Sequence, residues 1–258
     1  MEGSTANRCA NRGGSRRLRH TLGVVVPSPD DPPGLGPHRA LGYHVAMPVI
    51  DDEALVLDHH PYRDRHLIVS VLTANHGLVR GVLRSARAGK APTAGSVQVL
   101  SRVRLSTFRK PQAELATFQR VELLTSSFPL ASDLRRSAAA AVVAELLISF
   151  CPLDEPAPRR YRLGVTALDS LLAGADTDRV VAYAQFWVLQ LGGLMPPFEE
   201  LEGDPNPDEL AFLVACRRLA LPELSLVVPA TVARRLDSMV RAEAERPLRA
   251  LQFYRVHA

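Results

Sequence analysis

The hydrophobic period of the chain changes once, near residue 125, and that switch limits the architecture more than any other feature. Between residues 52 and 124 apolar and polar residues alternate, the period of strands. Residues 54–59, 66–73, 78–84, 97–108 and 114–123 read as five short strands, separated by turn-like stretches such as HPYRDR (60–65) and NHG (75–77). No helical pattern intervenes, so a small closed barrel is expected. From Ser132 the period becomes helical. Ser132 or Asp133 can cap an Ala-rich helix that ends at Cys151-Pro152, and DEPAPRR (154–160) reads as a linker to a second helix over 161–172. Asp176 or Thr177 can cap a third, in which Val180, Val181, Ala184, Trp187, Val188 and Leu191 recur at helical spacing before Gly192-Gly193. Residues 207–220 and 231–245 supply two more. The expected architecture is an all-β small barrel over 47–124 followed by an all-α helical domain over 125–258, an α+β multidomain chain.

Residues 1–46 are rich in Gly, Pro, Ser and Arg, around SPDDPPGLGPH (28–38). Such a segment buries too little apolar surface to offset its ordering entropy, so disorder is expected. Two readings stand for it. Met47 can be the true initiator, or the segment is a basic arm that aids nucleic-acid binding. Net charge is +3 over 1–46, +4 over 47–124 and −3 over 125–258, which favours a polyanionic partner for the first half. Lys90 and Lys110 are the only lysines, the mark of a GC-rich genome, so abundant Arg alone does not argue for phosphate binding. Three scattered cysteines (Cys9, Cys151, Cys216) form no CxxC pair, which fits a reducing cytoplasm. No apolar run reaches the roughly 18 residues a membrane helix needs.

The stretch NHGLVRGVLRSARAGK (75–90) tests the catalytic alternatives. It runs from a strand into a cationic loop carrying Gly89-Lys90, as a phosphate loop does. However, Arg84 stands where that motif needs its first Gly, and Ala91 where it needs Ser or Thr. His59, His60, His66 and His76 lie close in sequence, but adjacent strand residues face opposite ways and cannot chelate one ion. No nucleophile elbow, zinc-protease motif or dinucleotide fingerprint is present. No enzymatic turnover, metal or cofactor is expected.

Nucleic-acid binding remains. Within 97–108, Val97, Val99, Val103 and Leu105 share one face, while Gln98, Arg102, Arg104 and Phe108 share the other. Arg80 and Arg84 share a face of the preceding strand and lead to Arg87 and Lys90 in the loop. Arg109 and Lys110 sit at the next turn, and Arg63 and Arg65 at the first. These cations can neutralise backbone phosphates, and Phe108 or Phe118 can stack bases, as in oligonucleotide-binding (OB) folds. The opposing reading is a solubilising face of an Arg-rich protein.

The run at 53–90 resembles the opening of the bacterial RecO family of DNA repair and recombination mediators. The resemblance rests on Pro61-Tyr62-Arg63-Asp64, Leu67-Ile68-Val69-Ser70, Thr73 and His76-Gly77-Leu78-Val79-Arg80-Gly81-Val82, then on Glu145-Leu146-Leu147, on FWVLQLGG (186–193) and on Arg246-Pro247-Leu248-Arg249. It implies an OB barrel with a helical C-terminal domain, binding of single- and double-stranded DNA, and strand annealing. It further implies partnership with RecR to load RecA onto strands covered by single-strand-binding protein, in a cytoplasmic, nucleoid-associated setting without a membrane. An apolar groove with a basic rim that docks the acidic C-terminal tail of single-strand-binding protein is also implied, with Arg159, Arg160 and Arg162 as rim residues. The chain departs from the family in two places. The stretch after Gly193 (194–210) has no cysteine where many members carry a four-cysteine zinc module, so no zinc is expected. Ala86 and Ala88 replace glycines in the cationic loop. Two other readings remain: a protein-interaction scaffold that does not bind DNA, and an RNA-binding OB-fold protein.

Overall fold

The computed structural model describes residues 50–84, 97–108, 113–201 and 205–257. The extension at 1–46, the loop bearing Arg87 and Lys90, and the turn bearing Arg109 and Lys110 lie outside the described residues. Ala46–Ala258 form one compact unit.

Five strands close a barrel: β1 (Ile50–Tyr62), β2 (His66–Thr73), β3 (Gly77–Leu83), β4 (Arg102–Phe108) and β5 (Ala116–Thr125), in the order β1-β2-β3-β5-β4. All neighbours are antiparallel except β3 and β5. The alternation works as read: Val56, Val69, Val71, Val79, Val103, Leu105 and Phe118 fill the interior. Phe118 is therefore a core residue, 3% exposed, and cannot stack a base. Its ring lies over Gly81, where a Cβ would come within 2.7 Å of it.

β4 is shorter than its alternation predicts. The chain turns at Leu100, which is fully buried at φ 66°, and the strand begins only at Arg102. Backbone bonds hold this turn: Leu100 N–H donates to the Val56 carbonyl, and Val56 N–H to that of Ser101. Val99 consequently packs against the helical core and does not join Val103 inside the barrel.

Six helices follow: α1 (Leu134–Phe150), α2 (Pro158–Leu172), α3 (Thr177–Gly192), α4 (Pro207–Arg218), α5 (Ala230–Glu243) and α6 (Arg249–His257). Of the candidate caps, the Asp133 and Asp176 side chains accept backbone N–H bonds from Arg136 and Arg179. Gly193 closes α3 at φ 70°. α1 buries Ala139, Val142, Val143, Leu146 and Leu147 completely and packs against α2, α3, α6 and β1. α6 was not foreseen: the carboxylate of Glu145, on α1, accepts N–H bonds from Ala250 (3.0 Å) and Leu251 (3.1 Å) and so caps a helix more than a hundred residues away.

The barrel interior is one apolar cluster, and the outer face of the barrel joins a second one with the helices. Leu55, Leu57, Leu72 and Leu78 point out of the barrel and are buried among the helices. This explains why β2 reads as an apolar run and not as a clean alternation, because both faces of its second half are covered. The stretch read as a linker is also stitched down. Asp154 N–H donates to the Leu78 carbonyl (3.1 Å) and Ala157 N–H to that of Ala74 (3.0 Å). α2 starts at Pro158, a residue suited to the first helical position, so Arg159 and Arg160 belong to the helix. Gly77 permits this stitch: at φ 63° any Cβ would lie 1.9 Å from the Glu155 carbonyl oxygen.

Candidate nucleic-acid interface

Register sets the outer face of the barrel. Ile68 pairs with Val82, Val82 with Thr117 and Thr117 with Phe108, so four half-buried side chains form a row across β2, β3, β5 and β4. Arg80 and Arg84 lie two residues to either side of Val82 and therefore share its outward face. Both are exposed. Leu83 pairs with Leu67, which brings Arg84 to the start of β2 and beside the β1–β2 turn that carries Arg63 and Arg65. Arg63 adopts a left-handed φ of 53° and places its guanidinium 5.2 Å from the Tyr62 ring centroid. Among the described residues, Arg65, Arg80 and Arg84 have no carboxylate partner.

Arg102 and Arg104 stand differently. Glu53 faces Arg104 across the β1–β4 ladder, and Arg102 bonds the Glu53 carboxylate through Nη2 at 2.5 Å and Nε at 3.1 Å. Arg104 reaches the other Glu53 oxygen at 3.3 Å and Glu122 at 3.9 Å. The hydrogen bond from Arg102 holds the Glu53 carboxyl below its usual range against a smaller opposing effect of burial, and the same bond raises Arg102. Two further charged residues complete this face: Asp51, which accepts from Ser106, and Arg120, exposed opposite Ser106. The β1–β4–β5 face is thus charge-compensated, while the β2–β3 face and the first turn carry spare positive charge.

The histidines do not gather. His60 contacts Asp58 (2.8 Å), whereas His76, half-buried at the β2–β3 turn, contacts Asp52 (3.2 Å). Among the described residues no cluster of His, Cys, Asp and Glu is placed to hold a metal ion. Burial pushes the Cys216 thiol up to about 12, so it packs as a protonated apolar group. No helix among the described residues is long and apolar enough to cross a membrane.

A second candidate surface lies between α2 and α3. A groove of about 450 Å³ is floored by Leu163, Trp187, Leu191 and Leu221, with Arg159 and Arg162 exposed in its lining. Trp187 is fixed by an Nε1–H bond to the Cys216 carbonyl, and Tyr183 by a hydroxyl bond to the Leu219 carbonyl, both 3.2 Å. Arg160 does not line the groove. It is half-buried and donates through Nη2 to the Leu191 carbonyl in the last turn of α3. A cation there meets the negative end of that helix. Trp187 and Leu191 share the helical face read from the sequence, whereas Leu221, which follows α4 in the chain, completes the floor without any signal in sequence spacing.

Comparison with known proteins agrees with both halves. The family region described as "Recombination protein O N terminal" matches residues 47–127, and "Recombination protein O C terminal" matches 131–242. The DNA repair protein RecO of Koribacter versatilis is 28% identical over 203 residues, covering 75% of this chain and 81% of its own length. Those of Burkholderia pseudomallei and Burkholderia orbicola are each 30% identical, covering 58% and 60% of this chain. The chain spans about half the length of these two relatives. With a five-stranded barrel in one matched region and a helical bundle in the other, the chain belongs to the RecO family of DNA repair proteins.

Proposed function

We propose that this protein is a non-enzymatic mediator of DNA repair that binds and anneals DNA through its barrel. In this reading it acts with RecR to load RecA onto strands covered by single-strand-binding protein. The observation that carries the reading is the outer row Ile68–Val82–Thr117–Phe108 flanked by the unpaired Arg80 and Arg84, an apolar and aromatic strip edged by spare cations. Arg63 and Arg65 extend the cationic edge, and Arg87, Lys90, Arg109 and Lys110 belong to the same proposed interface by sequence position. Arg102 and Arg104 rank below them because Glu53 already neutralises them. Phe108 supplies the stacking surface. In the test, Arg80→Ala/Arg84→Ala weakens binding of single-stranded DNA while the fold survives, and an RNA oligonucleotide competes poorly. Equal binding by the variant would overturn the interface, and preferred competition by RNA would favour the RNA-binding reading.

The α2–α3 groove supports the tail-docking part of the reading. An acidic, apolar-ended peptide suits an aliphatic and indole floor with two arginines at its edge. Trp187 is the sole tryptophan, so its fluorescence reports occupancy directly. Peptide addition is expected to change that signal in the native chain and not in Arg159→Glu/Arg162→Glu. A pull-down that retains single-strand-binding protein or RecR without any DNA binding would favour the scaffold reading instead.

A further inference from the structure

A second cleft, of about 450 Å³, lies where β1 meets the helices. Its floor is aliphatic: Leu57, Val99, Ile148 and Pro247. Its polar lining is His60, Asp58, Glu145, Arg246 and Arg249. Both carboxylates are committed within the protein. Glu145 spends its two oxygens on the N–H groups of Ala250 and Leu251, and Asp58 holds His60 at 2.8 Å while accepting from the His59 N–H. Among the described residues the two arginines, both exposed, have no carboxylate partner, and Arg246 donates to the Ser149 hydroxyl at 3.4 Å. Charges in the lining balance, two carboxylates against two guanidinium groups, but the carboxylates are turned to donors of the protein and the guanidinium donors are left to meet an anion over an aliphatic floor.

Its position is informative. His60 is three residues before Arg63, about 10 Å along an extended strand, so the cleft lies near the cationic β1–β2 turn. Spare cations thus run from Arg80 and Arg84 through Arg65 and Arg63 to Arg249 and Arg246. Among the described residues no Phe, Tyr or Trp lines the cleft and the His60 ring is held by Asp58, so its free groups are the two guanidinium donors, which suit phosphate.

We propose that the Arg246/Arg249 cleft is a second phosphodiester-binding site, which takes up the strand where it leaves the barrel and so extends the DNA track onto the helical half. This rests on the barrel reading above. The test compares full-length protein with Arg246→Ala/Arg249→Ala on single-stranded DNA of two lengths. About 8 nucleotides fits within the site size of one OB barrel, and about 30 exceeds it. For the long strand, the slope of log K against log salt should become shallower by about 1.4, the value for two lost phosphate contacts. The short strand should show little change. Arg246→Lys/Arg249→Lys should retain most of the slope, which separates charge from packing, and a matched melting temperature excludes loss of fold. An unchanged slope for the long strand overturns the proposal, as does an equal loss on both lengths. An acidic peptide whose binding alone is lost in the variant would assign the cleft to a protein partner. If wild-type protein fails to bind the short strand in a salt-dependent way, it is the barrel reading that falls.

Discussion

At the scale of single residues, what distinguishes one arginine from another is its neighbour. Arg80 and Arg102 are both outward-facing on strands, yet Arg102 is bonded twice to Glu53 and Arg80 has only solvent and a facing Ser70. Exposed ion pairs contribute little to stability, about 0–1 kcal/mol, but they remove a cation from service as a phosphate ligand. Glu53→Gln should therefore cost little stability, raise affinity for single-stranded DNA and steepen its salt dependence; an unchanged slope in a binding titration would contradict this. Because the Glu53 carboxyl is held below its usual range, its pairing is complete at neutral pH and is lost as pH falls through that lowered value. Glycine supplies a sharper case. Gly77→Ala combines a φ of 63° with a 1.9 Å approach to the Glu155 carbonyl oxygen. A loss of at least about 2 kcal/mol is expected in urea unfolding.

At the scale of elements, the strands were legible because a period of two is a local signal, and four of the five sit within a few residues of their expected places. The exception, β4, shows the limit of that signal. Val97 and Val99 continue the alternation, but the chain turns at Leu100 because Val56 on the neighbouring β1 holds Leu100 and Ser101 by backbone bonds. Phe108 and Phe118 likewise look equivalent in the sequence, and only the bulge between Ser106 and Thr107 and the space over Gly81 send Phe118 inward. α6 was invisible for a related reason. Its nine residues are too few for a strong periodic pattern, and its cap comes from Glu145. Glu145→Ala should cost about 1–2 kcal/mol and release protection of the α6 amides in hydrogen exchange before those of α1. Equal protection in both proteins would show that packing of Leu251 and Tyr254 holds α6 without the cap.

At the scale of the whole molecule, the barrel and the helical bundle are not two beads on a string. Leu55, Leu57, Leu72 and Leu78 belong to the helical core, and residues 152–157 pair with the β2–β3 hairpin. Thermal unfolding should accordingly be one cooperative transition, and two resolved transitions in calorimetry would contradict the shared core. The change of period near residue 125 marked the two halves but carried no sign of their union, because burial on the outside of a strand reads the same as burial inside it. The union also fixes the outer β2–β3 face relative to the α2–α3 groove. In the proposed reading spare arginines, and not paired ones, hold DNA. Salt-titrated binding of single-stranded DNA to Arg80→Ala/Arg84→Ala and to Arg102→Ala/Arg104→Ala tests it most directly. The first variant should lose about 1.4 from the slope of log K against log salt and the second much less. Equal losses, or a larger loss in the second, would contradict it.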